Sequence, residues 1–168
     1  MAESPLAGVA LPAGVTEVPF LAQATLRADP GAGLPPGALG VALPPTGGSA
    51  SAGELTVLSL GPDEWLVLGP PGARIAVAGA SVVDVSAQRT TLDLGGPHVR
   101  ELLAFGCSLD LHPRVFAVGD CAQTTLARCP VIVLRRESGF RILVRASFAA
   151  HLAAWLTDAA DGLEALPY

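Results

Sequence analysis

The chain has 168 residues, a length that fits one domain or two small halves and that can bury a core without disulfides or metals. Only 15% of the residues are charged and 51% are apolar, which excludes a charge-driven disordered chain. The net charge is −5, lysine is absent and all ten cations are arginine, which argues against a surface built for nucleic-acid phosphates.

Aromatic residues make up 5%, so the core must be built from Leu, Val, Ile and Ala. With so few charges, a small protein has difficulty covering its own surface, and a protein partner would solve that. Three cysteines without CxxC spacing do not form a disulfide framework and point to a reducing, cytoplasmic setting. No aliphatic run is long enough to cross a bilayer, and the Pro-broken N-terminus does not resemble a secretory signal. Neither nucleic acid nor membrane is an expected partner.

In chain order, residues 1–16 read as a loose arm. Phe20 to Arg27 alternates, with Phe20, Ala22, Ala24 and Leu26 on one side, and predicts a half-buried strand closed by Asp29-Pro30-Gly31. Leu34 to Leu43 has room for one or two helical turns, with Pro35 and Pro36 at the start. Pro44 to Gly53 reads as a loop. Leu55–Leu60 and Trp65–Leu68 form a hairpin across Gly61-Pro62-Asp63-Glu64. Ser81–Val85 and Arg89–Leu94 are two further strands. Pro97 then starts a helix that buries Val99, Leu102 and Leu103 and ends at Gly106. Ala122–Ala127, Val131–Arg135 and Phe140–Val144 complete the strands. Ser147 caps a last helix bearing Phe148, Leu152, Trp155, Leu156 and Ala159 on one face, and Gly162 ends it. The pattern predicts one domain of the α+β class, antiparallel sheets with packed helices, with sub-halves at 17–80 and 81–168.

Few residues suggest chemistry. His98, His112 and His151 lack any metal-ligand spacing. Cys107, Cys121 and Cys129 sit among apolar residues, as inert buried thiols do. Gly95-Gly96-Pro97 precedes a helix, but without a phosphate-binding motif it reads as a strand-to-helix turn. Asp84 lies in an apolar run and has Arg89 close in sequence as a pairing partner; a cap or turn anchor with Ser86 outweighs a binding role. Asp110, between two leucines in a loop after a helix, is the weak catalytic candidate, and Arg89 and Asp110 are the weak cofactor-binding candidates. Trp65, Phe105, Phe116 and Trp155 are the large side chains to consider at an interface.

Several strings taken together resemble one family. They are Leu60-Gly61-Pro62-Asp63-Glu64-Trp65-Leu66-Val67-Leu68, Val83-Asp84-Val85-Ser86 with Arg89, Gly106-Cys107-Ser108-Leu109-Asp110-Leu111-His112-Pro113, Gly119-Asp120-Cys121-Ala122-Gln123-Thr124, and Ser147-Phe148-Ala149. In this order they are similar to the gamma subunit of heterotetrameric sarcosine oxidase, over Phe20 to about Leu156. The resemblance implies a fold like the N-terminal part of the folate-dependent aminomethyltransferases, with Asp110 where that superfamily places an acidic residue. It implies a complex that demethylates sarcosine oxidatively to glycine and hydrogen peroxide and passes the one-carbon unit to tetrahydrofolate. The flavins FAD and FMN, NAD and the folate then belong to the alpha and beta subunits, zinc to the delta subunit, and no cofactor to this chain. Alpha is the expected main partner, and a non-catalytic assembly role follows. The alternatives are a stand-alone folate-dependent one-carbon transferase, or a small-ligand binding module, using Asp110. The family usually has a helix between the Trp strand and the Asp-Val-Ser segment. Residues 69–80, with Pro70, Pro71, Gly72 and Gly79, are too short and broken for it. A partner subunit or the Pro/Gly loops are expected to cover the sheet face that this helix would protect.

Overall fold

Short apolar strands, the central ones buried on both faces, arrange the chain into layers. The computed structural model describes residues 3–29, 31, 34–35 and 37–165. It contains two antiparallel five-stranded sheets and two α-helices, an α+β architecture. The first sheet runs, in spatial order, β1 (Val15–Glu17), β7 (Arg89–Leu94), β10 (Gly139–Arg145), β9 (Cys129–Arg136) and β8 (Cys121–Leu126). The second runs β3 (Ser49–Ala52), β4 (Leu55–Ser59), β5 (Glu64–Gly69), β2 (Ala22–Arg27) and β6 (Ser81–Asp84).

Because successive side chains on a strand point to opposite faces, each sheet supplies two apolar surfaces. On β9, Ile132 and Leu134 meet Leu58, Leu66 and Leu68 of the second sheet, so the sheets share an inner layer. Val131 and Val133 turn the other way, toward the helices α1 (Val99–Ala104) and α2 (Ala149–Glu164), which contribute Leu102, Leu103, Leu152 and Leu156. On β5, Trp65 and Val67 face outward beneath Leu39 and Val77. Among the described residues, no helix covers that side. The Pro/Gly loops do so, with Leu34, Val41 and Ile75 also packed there.

The hairpin across Gly61–Glu64 has the expected form, with Ser59 opposite Trp65. The burial of Val99, Leu102 and Leu103 on α1 also matches the sequence. Other expectations are corrected. The N-terminal arm is tied down: Leu6 and Val15 are buried, β1 pairs with β7, and Glu17 accepts hydrogen bonds from the hydroxyls of Ser4 (2.7 Å) and Thr90 (2.6 Å). The first strand of the second sheet's centre begins at Ala22, because Phe20 has a positive φ of 60° and is exposed. Its polar face is not all solvated either, since Gln23 is buried between the sheets. The described residues within 34–43 make separate turns, Pro35 O to Ala38 N–H and Gly37 O to Gly40 N–H, and no helix. Pro30 and Pro36 lie outside the described residues. Ser49–Ala52, read as loop, is an edge strand. α1 begins at Val99, with His98 at its N-cap, so Pro97 precedes the helix instead of holding its first position. Ser147 lies in a 3-10 turn (Ala146–Phe148) and makes no capping hydrogen bond, and α2 continues past Gly162 to Glu164. The sub-halves divide differently from the sheets, since β1 completes the first sheet and β6 completes the second.

One ion cluster fastens three adjacent strands. Asp93 on β7 lies opposite Arg141 on β10. Its Oδ1 and Oδ2 accept bonds from Arg141 Nε and Nη2, both at 2.7 Å, and Oδ2 also accepts from Arg136 Nη1 on β9 at 2.6 Å. Burial opposes ionisation of Asp93, but the hydrogen bonds and charges of Arg141 and Arg136 outweigh it and hold the carboxyl below its ordinary range. A carboxylate with a depressed folded-state pKa contributes its stability above the unfolded value of about 3.9 and loses it as pH falls toward the folded value. Asp93→Asn is therefore expected to cost about 2 kcal/mol at pH 7, the scale of a hydrogen bond between charged groups. The difference from wild type should shrink in urea titrations repeated below pH 4. A constant difference down to pH 2 would refute the assignment.

Candidate functional site

Asp110 lies on the loop that follows α1. Its Oδ1 accepts the backbone N–H of His112 at 2.9 Å, an Asx turn that lets the next residue, Leu111, reach the core. The carboxylate is at the rim of an open hollow of about 290 Å³ shared with Arg100, Glu101 and His112. Arg89 is elsewhere. It shares the inner face of the first sheet with Thr91, which pairs with inner-layer Leu143. Gln23 Nε2 donates to the Arg89 carbonyl at 2.9 Å. Gln23 Oε1, Arg89 Nη1 and Thr91 Oγ1 are buried without a hydrogen-bond partner among the described residues. Burial pulls the Arg89 pKa down, and the charge of Arg145 adds to that effect, against the opposing charge of Glu64. Asp110 and Arg89 line no common cavity among those described, so the two weak candidates do not converge on a folate-sized site.

Asp84 is a turn anchor. Its Oδ1 accepts the Ser86 N–H at 2.8 Å, and the Ser86 hydroxyl accepts the Gln23 N–H at 2.9 Å, locking β6 to β2. The hydrogen bond from the Ser86 backbone holds the Asp84 carboxyl below its ordinary pKa. Gly95-Gly96-Pro97 is a strand-to-helix turn, with the Gly95 N–H donating to the Gly14 carbonyl at 2.8 Å. All three cysteines are free and buried. Burial pushes the Cys121 thiol up to about 11, far from a thiolate at neutral pH.

The four large side chains separate into two pairs. Trp65 is 4% exposed, and its indole Nε1 donates to the Pro44 carbonyl at 3.0 Å beneath the loop cover. Phe116 is likewise inside the core under the helices. Phe105 and Trp155 instead line one surface groove. Phe105, the C-cap of α1, is 54% exposed. Trp155, on α2, packs on the core edge beside Gly106, where a Cβ would stand 2.5 Å from the indole. Between them opens a groove of about 660 Å³ whose walls include Arg128 and His151.

Arg128 was missed as a site residue by sequence reasoning, although a signal was present. Ala127-Arg128 is a two-residue hairpin loop between β8 and β9, where Asn-Gly would be favoured. Both residues are left-handed, φ 51° and 65°. A side chain in that conformation costs roughly 1–2 kcal/mol per residue.

The sequence model of the "Sarcosine oxidase, gamma subunit family" matches residues 27–162. A protein of Corynebacterium sp. (strain P-1), "Sarcosine oxidase subunit gamma", is 41% identical over 157 residues, which is 85% of this chain and 77% of that protein. A chain of the heterotetrameric sarcosine oxidase from Corynebacterium sp. U-96, solved in complex with pyrrole 2-carboxylate, superposes with a TM-score of 0.84 at 33% identity, covering 99% of this chain and 98% of that one. The glycine cleavage system aminomethyltransferase T from Bartonella henselae shares the fold, with a TM-score of 0.62 at 18% identity over 85% of this chain and 45% of its own length. This chain belongs to the sarcosine oxidase gamma subunit family.

Proposed function

We propose that this chain is a non-catalytic, architectural subunit of a sarcosine oxidase complex, docked mainly on the alpha subunit and assembled with beta and delta. The complex would oxidise the N-methyl group of sarcosine, release glycine and hydrogen peroxide, and hand the one-carbon unit to tetrahydrofolate. FAD, FMN, NAD, zinc and the folate would be held by the other subunits, and the assembly would work in the cytoplasm. The observation that carries this reading is the apolar surface. Phe105, Val115, Val118 and Phe148 are among the large hydrophobic side chains left exposed, and a protein partner would cover them. The second support is Asp110, whose carboxylate serves its own loop through the His112 N–H. Among the described residues, no helix is long and apolar enough to cross a membrane.

The test is co-expression of the tagged full chain with candidate alpha, beta and delta chains, followed by purification through the tag. Recovery of all four chains with flavin absorbance is the expected result. Recovery of this chain alone as a soluble monomer would overturn the subunit reading. Tetrahydrofolate would then be titrated against the monomer, and saturable binding lost in Asp110→Ala would favour the transferase.

A further inference from the structure

We propose that the groove between the end of α1, the β8–β9 turn and α2 is a docking site for a partner-subunit segment that bears a carboxylate next to an apolar side chain. The inference rests on the subunit reading above and adds the surface and its chemistry. Three observations carry it. The first is charge. In a chain of net charge −5, the residues lining this groove include Arg128 and His151 and no carboxylate. Arg128 is exposed and takes part in no ion pair among the described residues. A guanidinium held at a rim donates two parallel hydrogen bonds to a carboxylate, and this gives both orientation and selectivity.

The second observation is the aromatic pair. Phe105 stands half-exposed in the same groove as Trp155, whose indole edge lies against Gly106. Anchors of this kind dominate the energetics of interfaces when an apolar partner side chain fills the space between them. The third is the turn. Arg128 keeps a left-handed backbone that glycine would adopt without strain, and His151 Nε2 lies 3.4 Å from the Ala127 carbonyl at the same turn. The hairpin thus aims a cation at the groove at the expense of local backbone comfort, a pattern that clusters at functional positions.

The test uses the full chain co-expressed with the alpha, beta and delta chains, with partner recovery per tagged chain as the readout. Arg128→Glu is expected to keep a native circular dichroism spectrum and to lower partner recovery at least tenfold. Phe105→Ala should lower it several-fold. Arg128→Gly relieves the turn, so it should melt at or above the wild-type temperature and still lose partner. That combination is one a merely structural arginine would not produce. Arg114→Glu, an exposed arginine outside the groove, should leave recovery unchanged. Wild-type recovery of partners together with equal recovery by Arg128→Glu would overturn the groove and leave the subunit reading standing. No partner recovery by wild type would overturn both. Loss of a homodimer in Arg128→Glu with hetero-assembly intact would also overturn the proposal, since the occupant would then be a second copy of this chain.

Discussion

Gly139→Ala is expected to cost about 3 kcal/mol or more and to leave much of the chain insoluble on expression. Gly139 opens β10 with φ 134°, a conformation closed to residues with a Cβ. A Cβ there would also run into the backbone carbonyl of Leu94 on the neighbouring strand. Backbone cannot move aside as a flexible side chain can, so conformational strain and steric overlap act together. Gly162→Ala is the matched control. That glycine lies inside α2 and an added Cβ meets nothing within 4 Å, so alanine should stabilise the chain by roughly 0.5–1 kcal/mol. Urea unfolding of both variants measures the pair. Equal stability of Gly139→Ala and wild type would refute the account of the turn.

Trp65→Ala is expected to cost about 3–5 kcal/mol, the range for deleting a buried aromatic side chain. The indole faces the outer side of the second sheet, under loops instead of a helix. Its loss removes both the apolar floor on which Leu39 and Val77 rest and the hydrogen bond that holds Pro44. Trp65→Phe keeps most of the volume and loses the bond, and should cost about 1 kcal/mol more than volume alone. Limited proteolysis should cut Trp65→Ala first within residues 34–46, at a denaturant concentration where wild type resists. Cleavage elsewhere would place the weak point outside this loop cover.

Much of the fold was legible because its strands are short apolar runs between strong turn residues. Gly61-Pro62-Asp63-Glu64 fixed one hairpin, and Val131–Arg135 and Phe140–Val144 marked the centre of the other sheet. The failures have physical causes. Val15-Thr16-Glu17 is too short to alternate, and it becomes a strand only because β7 offers it an edge. Ser49–Ala52 consists of small residues without β propensity, and it is held by pairing to β4. Gly162 faces open space, so it carries no stop signal that α2 must obey. At the candidate site, the sequence supplied Phe105 and Trp155 as large side chains without a way to separate them from buried Trp65 and Phe116. All four sit in apolar surroundings, and only tertiary packing divides them. Arg128 reached the groove through a turn, where periodicity carries no information.

The pairing of Val15 with Leu94 has a consequence for how the chain folds. β1 is synthesised before the whole second sheet, yet its partner strand follows about 80 residues later, after that sheet. During synthesis the second sheet can close once β6 has been made, whereas the first must wait for the last hairpin and then take back β1. Loop-closure entropy makes such late, long-range pairing slow. The growing chain therefore passes through a stage in which the inner faces of β4 and β5, with Leu58, Leu66 and Leu68, have no opposing sheet. Chaperone demand and aggregation in the cell should concentrate in that interval, and should fall when a permuted chain places β1 directly before β7.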